Sequence, residues 1–235
     1  MYKFAVKHPV IFEILLIVAA FLLALVFMIP GSVLYLSTEQ SAAIGRILAG
    51  ILIFLLFLRY FDIRRQMRGL VIALPALAFT LWNVVIYKMT GGTRGSFGAE
   101  TLILGLAPAI FEEVVFRFVF IENMRKNRMS PAAAMLLSGV VFGVIHMTNI
   151  AGASLAKTVL QVFYSTVVGI VFAAIYIRSR DLFSVVIAHA AIDISNRIFI
   201  SEGSTPFVAV ALFAALMIAE VCYAAWLITN ASWQK

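Results

Sequence analysis

Apolar residues in this chain come in long unbroken blocks, and polar residues are confined to short punctuation between them. A helix crosses a hydrocarbon core of about 30 Å with about 20 mostly apolar residues, because each residue rises about 1.5 Å. Eight blocks meet or approach that length, at roughly 9–36, 41–60, 69–89, 98–120, 131–149, 155–178, 182–200 and 206–229. Between them stand STEQ, DIRRQMR, MTGGTRGSFG, ENMRKNRMS, SRD and SEGST. The pattern predicts an all-α polytopic membrane protein with about eight transmembrane helices. It leaves no room for a soluble domain or a long linker, and it shows no internal repeat of the kind transporters carry. The first block lacks a short apolar region followed by a small-residue cleavage site, so it is expected to be retained.

Composition agrees: 63% of the 235 residues are hydrophobic and 12% charged, with mean hydropathy +1.05. Soluble domains run nearer half apolar and a quarter charged. The net charge of +7 does not point to nucleic acid, because the basic residues are scattered through short loops. It points to topology. Twelve lysines and arginines fall on one side of the membrane, among them Lys3, Arg64, Arg65, Arg125, Lys126, Arg178, Arg180 and Lys235. Only Lys88, Arg94, Lys157 and Arg197 fall on the other, and Arg46 and Arg117 lie inside spans. The positive-inside rule then places both termini in the cytoplasm. The single cysteine, Cys222, cannot form an internal disulfide.

Charged side chains inside a bilayer cost about 2.5–3.5 kcal/mol each on insertion scales, so they are functional suspects by default. They are Glu13, Arg46, Glu112, Glu113, Arg117, His146, His189, Asp193 and Glu220. In IFEEVVFRF, Glu113 and Arg117 are four apart and share a helix face, whereas Glu112 is rotated by about 100°. One carboxylate is held by arginine and one is left over, free to act as a general base. Pro108, four residues before Glu112, removes a backbone hydrogen bond and is expected to bend the helix. In FGVIH, Phe142 and His146 are four apart, and Gly139 and Gly143 form a GxxxG pair that admits a neighbouring backbone. In HAAID, His189 and Asp193 are again four apart. Counting about 1.5 Å per residue from the cytoplasmic helix ends puts Glu112, His146, His189 and Asp193 in one horizontal slab of the membrane. Taken singly, each has a plain reading: a packed histidine, a structural ion pair, and a Glu13 or Arg46 that snorkels to the interface. Glu220 stands open between a packing residue and a wall of the site.

Taken jointly, EExxxR, FxxxH and HxxxD in that order on three spans resemble the CAAX-protease and bacteriocin-processing family of membrane endopeptidases. The matching residues are Glu112, Glu113 and Arg117, then Phe142 and His146, then His189 and Asp193. The resemblance implies a single peptidase domain over residues 1–235 with its motif core at 98–200. It also implies an intramembrane endopeptidase in which Glu112 activates the attacking water with His146, while His189 and Asp193 polarise the scissile carbonyl. Glu113 and Arg117 would brace the helix. The sequence departs from the prenyl-protein peptidase at Asp193, where that enzyme has asparagine. An ionised aspartate repels an oxyanion that an amide would stabilise. Asp193 must therefore be protonated, orient His189 or bind a metal. His146, His189, Asp193 and Glu112 would offer zinc or another divalent metal a nitrogen-and-oxygen set, and water attack without metal uses the same residues. No HExxH helix, rhomboid-type GxSxG or GxGD pair is present. The expected partners are the lipid bilayer and a membrane-proximal peptide or protein reached from the cytoplasmic side or laterally from lipid. The setting is a multi-pass prokaryotic plasma membrane, and the task bacteriocin immunity, peptide maturation or regulation. An ion-coupled transporter and a non-catalytic membrane scaffold of the same fold are the rival readings.

Overall fold

The computed structural model describes residues 7–61 and 68–229. Lys3, Arg64, Arg65 and Lys235, which enter the charge bias above, lie outside the described residues. The described residues are all-α and form eight helical segments. They are α1 (Pro9–Val33), α2 (Thr38–Phe57), α3 (Gly69–Thr90), α4 (Ala99–Glu113), α5 (Pro131–Ile145), α6 (Leu155–Ser179), α7 (Leu182–Ile198) and α8 (Phe207–Thr229). A 3-10 turn at Leu74–Leu77, containing Pro75, interrupts α3. Helix α4 continues through a π-helical segment, Val114–Ile121, and a last turn, Glu122–Lys126. Helix α5 ends in a 3-10 stretch, His146–Ala151. The fourth span therefore runs beyond the boundary at 120 that apolarity alone suggested, because its last turns carry charge.

Caps fix the helix starts. Ser37 and Gln40 form a capping box, Ser37 Oγ accepting from Gln40 N at 3.2 Å and Gln40 Oε1 from Ser37 N at 3.0 Å. That cap starts α2 at Thr38 rather than 41. Ser130, Ser154 and Asp181 accept in the same way from Ala133, Lys157 and Phe183 at the heads of α5, α6 and α7.

Small residues set the spacing between neighbours. Gly31 of α1 lies against Ser41 of α2, and Gly50 of α2 against Phe111 of α4. Gly105 of α4 abuts Ile194 of α7, and Gly139 and Gly143 of α5 abut Ile170 and Thr166 of α6. The GxxxG pair thus admits α6. These contacts, with Glu13 near Asn123, Asn83 near Ser195 and Trp82 near Phe213, alternate the eight segments between two ends of the bundle. At one end, Thr93–Arg94 pairs antiparallel with Phe199–Ile200, and Gly95 N donates to Ile198 O at 2.9 Å. This tie fastens the exit of α3 to the end of α7. Six segments are long and apolar enough to cross a membrane; α4 and α7 fall short of that standard. Those two carry most of the charged residues described next.

Candidate active site

The two glutamates of α4 part company. Glu113 faces the core and lies 3.0 Å from Arg117 Nε, with both side chains fully buried. Arg117 belongs to the π-helical segment, whose eight residues are all buried. Its three nitrogens make no hydrogen bond, so its link to Glu113 is ionic rather than an aligned N–H···O contact. Aromatic faces surround the rest of the guanidinium: Phe142 at 4.7 Å, Phe172 at 5.8 Å and Phe116 at 5.9 Å from its carbon. Such faces attract a cation through the ring quadrupole, which offsets part of its desolvation.

Glu113 has a second partner. His189 Nδ1 stands 2.8 Å from Glu113 Oε1. An ionised carboxylate only accepts, so Nδ1 carries the proton and donates. That bond fixes the ring and turns Nε2 toward Glu112 Oε2 at 3.9 Å and Asp193 Oδ2 at 3.7 Å. The orienting role offered to Asp193 by the sequence is thus held by Glu113, through the other ring nitrogen. The imidazole is further confined by Phe142 and Phe172, at centroid distances of 5.9 and 5.5 Å.

His146 stands apart. Its Nδ1 meets Phe142 O at 2.8 Å, and its ring lies 5.2 Å from the Phe142 ring. The Phe142 ring thus touches both imidazoles, and His146 makes no described hydrogen bond or ion pair with Glu112. Among the described residues, no group of three or more His, Cys, Asp or Glu is arranged to hold a metal ion. Glu113 takes Nδ1 of His189 and leaves Nε2, which faces Glu112 and Asp193, as the ring's free nitrogen.

Exposure rises in one direction through the cluster. Glu113 and Arg117 are fully buried, His189 is 8% exposed, Glu112 15%, Asp193 27% and Arg197 38%. The opposite end is closed by the π-helical segment and by Glu122. That buried carboxylate takes Arg180, Arg125 and Tyr176. The cluster thus opens toward the end that bears the α5–α6 loop and the β pair, away from the end rich in lysine and arginine. A lateral apolar cavity of about 460 Å³ between α2, α4 and α7, lined by Gly50, Ile110, Val114 and Val186 among others, includes none of the cluster's side chains.

Two contributions come from a span that the motifs leave silent. Phe172 of α6 touches His189 and Arg117, and Tyr164 lies within electrostatic reach of Asp193 and Glu112. The readable signal was the spacing of Tyr164, Phe172 and Tyr176, eight and then four residues apart, which puts successive aromatics on neighbouring faces of α6. Two other intramembrane acids lie outside the cluster. Glu13 does not snorkel: it is 2% exposed, and Oε1 accepts from Asn123 Nδ2 at 2.7 Å, bracing α1 to the tail of α4. Glu220 is buried in α8 with no described bond to the cluster.

Residues 94–195 match the family model described as type II CAAX prenyl endopeptidase Rce1-like. The match covers Glu112, Glu113, Arg117, Phe142, His146, His189 and Asp193. Among curated proteins and among solved structures, the comparison found no match.

Proposed function

We propose that this chain is an intramembrane endopeptidase, a reading supported by the match of residues 94–195 to the type II CAAX prenyl endopeptidase Rce1-like model and by its long apolar helices. It hydrolyses a peptide bond with water activated by Glu112. The observation that carries the reading is the pair of distances at His189: Nδ1 held by Glu113, and Nε2 facing Glu112 at 3.9 Å. A gap of that width beside a carboxylate suits a reacting group placed between base and imidazole.

In the proposed cycle Glu112 takes a proton from water as its oxygen attacks the scissile carbonyl carbon. His189, held as an imidazolium by Glu113, donates Nε2–H to the oxyanion that forms. Glu112 then returns the proton to the amide nitrogen as the C–N bond breaks. Asp193, on the same side of His189, works as an acceptor for the imidazolium or for an N–H of the peptide. Arg117 pairs with Glu113, and both are positioning residues that act through the ring of His189. His146 shapes the wall through Phe142 rather than touching the base. The substrate is a membrane-proximal peptide or protein, and the setting a prokaryotic plasma membrane with both termini in the cytoplasm.

The test is cleavage of a quenched fluorogenic peptide library by the purified protein in liposomes. Glu112→Gln, which preserves shape and removes the base, is expected to lower turnover by about 10²–10⁴-fold while insertion and yield stay as in wild type. Wild-type turnover by that variant overturns the assignment. Solute uptake that depends on Glu112 with no cleavage would instead identify a transporter.

A further inference from the structure

Arg46 is the one intramembrane cation that the proposed chemistry does not use. It lies on α2, one turn toward the open end from Gly50, which packs against Phe111, the residue before Glu112. It is half-buried, and among the described residues it has no hydrogen bond and no ion pair. Arg117 is held by Glu113, and Arg197 Nη1 is bound by Glu39 at 3.0 Å. Arg46 acts on Asp193 electrostatically without touching it. A guanidinium placed within a span at such cost calls for an anionic partner.

We propose that Arg46 is the docking cation of the site, and that it binds a carboxylate of the peptide substrate at the mouth beside Asp193. The neighbourhood fits a guest rather than a resident partner. Asp193 lies deeper and faces His189; of the acids nearer the mouth, Glu39 is committed to Arg197 and Glu100 accepts from Gln40 Nε2 at 2.9 Å. A carboxylate bound at Arg46 would enter from the exposed side of the cluster and leave the adjoining peptide to run inward to Glu112 and His189. The guanidinium fork matches a carboxylate bidentately, which fixes orientation as well as charge. The substrate is therefore a peptide with an acidic group, either its free C-terminus or an Asp or Glu side chain, close to the scissile bond. This inference rests on the peptidase reading for its chemistry but not for its binding.

The experiment uses one peptide taken from the cleavage library in three forms: free C-terminal carboxylate, C-terminal amide, and each acidic side chain replaced by its amide. Cleavage is measured with the whole protein in liposomes, and binding is measured separately with the Glu112→Gln protein. Wild type is expected to favour the acidic form by about ten-fold or more in KM, the worth of a charge-assisted hydrogen bond. Arg46→Gln is expected to bring that ratio close to one, and Arg46→Lys to restore part of it. Whichever form loses affinity in wild type identifies the source of the carboxylate. The proposal is overturned if the ratio survives in Arg46→Gln. It is also overturned if all forms lose turnover equally, since Arg46 would then act only through Asp193. Binding that discriminates through Arg46 without any cleavage would uphold the docking cation and refute the peptidase.

Discussion

Replacing Glu113 by glutamine removes one charge and almost no volume, yet two partners depend on that charge. Arg117 is fully buried and has no hydrogen bond elsewhere, so Glu113→Gln strands a guanidinium among three phenyl rings. Breaking a buried pair from one side costs about 3–5 kcal/mol. The glutamine Oε1 can still accept from His189 Nδ1, so its NH₂ is turned toward the guanidinium, donor against donor. Arg117→Met is milder, because Glu113 keeps its bond to His189 at 2.8 Å and the thioether fills the space between the rings. The double variant Glu113→Gln/Arg117→Met removes the stranded cation and leaves an unpaired amide, a residual cost of about 1–3 kcal/mol. Unfolding of the purified protein should therefore rank Glu113→Gln as least stable and the double variant above it, with a coupling of about 2 kcal/mol. Turnover should not follow that rank. Both variants lacking the Glu113 carboxylate should lose kcat with little change in KM, because a neutral amide no longer stabilises the imidazolium. Additive stabilities, or recovery of turnover in the double variant, would refute the dual role of Glu113.

Two further expectations follow from the arrangement of the bundle and of its cluster. The proposed cycle uses Glu112 and His189 as its acid and base, so dialysis against a chelator should leave peptide cleavage intact; loss that zinc restores would show that Nε2 of His189 and the carboxylates facing it hold an ion. The open end of the cluster lies opposite the basic end, so in a Cys222→Ser background an impermeant maleimide should label Ser96→Cys in intact cells and Arg178→Cys only after lysis. The reverse pattern would turn the bundle over.

The eight segments were legible because bilayer thickness imposes a block length that composition cannot disguise. The starts of α5, α6 and α7 were legible at 131, 155 and 182, whereas that of α2 was set at 41 because its polar capping box at Ser37 and Gln40 does not look like a span. The Glu113–Arg117 pair was legible because four-residue spacing fixes a shared face. Which carboxylate orients His189 was not. Sequence spacing offered Asp193, on the same helix, while the structure uses Glu113 from α4. That choice depends on the rotation of α7 about its axis, which is set by the close approach of Gly105 to Ile194. No local periodicity encodes it. The π-helical segment was equally hidden. Its residues, VVFRFVFI, look like any apolar run, and the widened turn shows only in the hydrogen-bond pattern.

The same reasoning explains why the site sits on the two spans that carry the charges. Six helices have both the length and the apolarity of a span, whereas the α-helical stretches of α4 and α7 stop at 15 and 17 residues and hold the acids and imidazole of the cluster. Their charges need partners that lipid cannot supply, so these helices must be enclosed by the others to be stable in a membrane. Enclosure is nearly complete at Glu113, Arg117 and Glu122, where each charge has an opposite charge in contact. It lapses at Glu112 and Asp193, which are partly exposed and share the single Nε2 of His189 at 3.9 and 3.7 Å, and at Arg46, which has no ion pair among the described residues. A chain stabilised only by burying its charges would have paired these too. The structure instead spends its ion pairs on the inner half of the cluster and leaves the outer half incompletely satisfied, and a peptide can complete it.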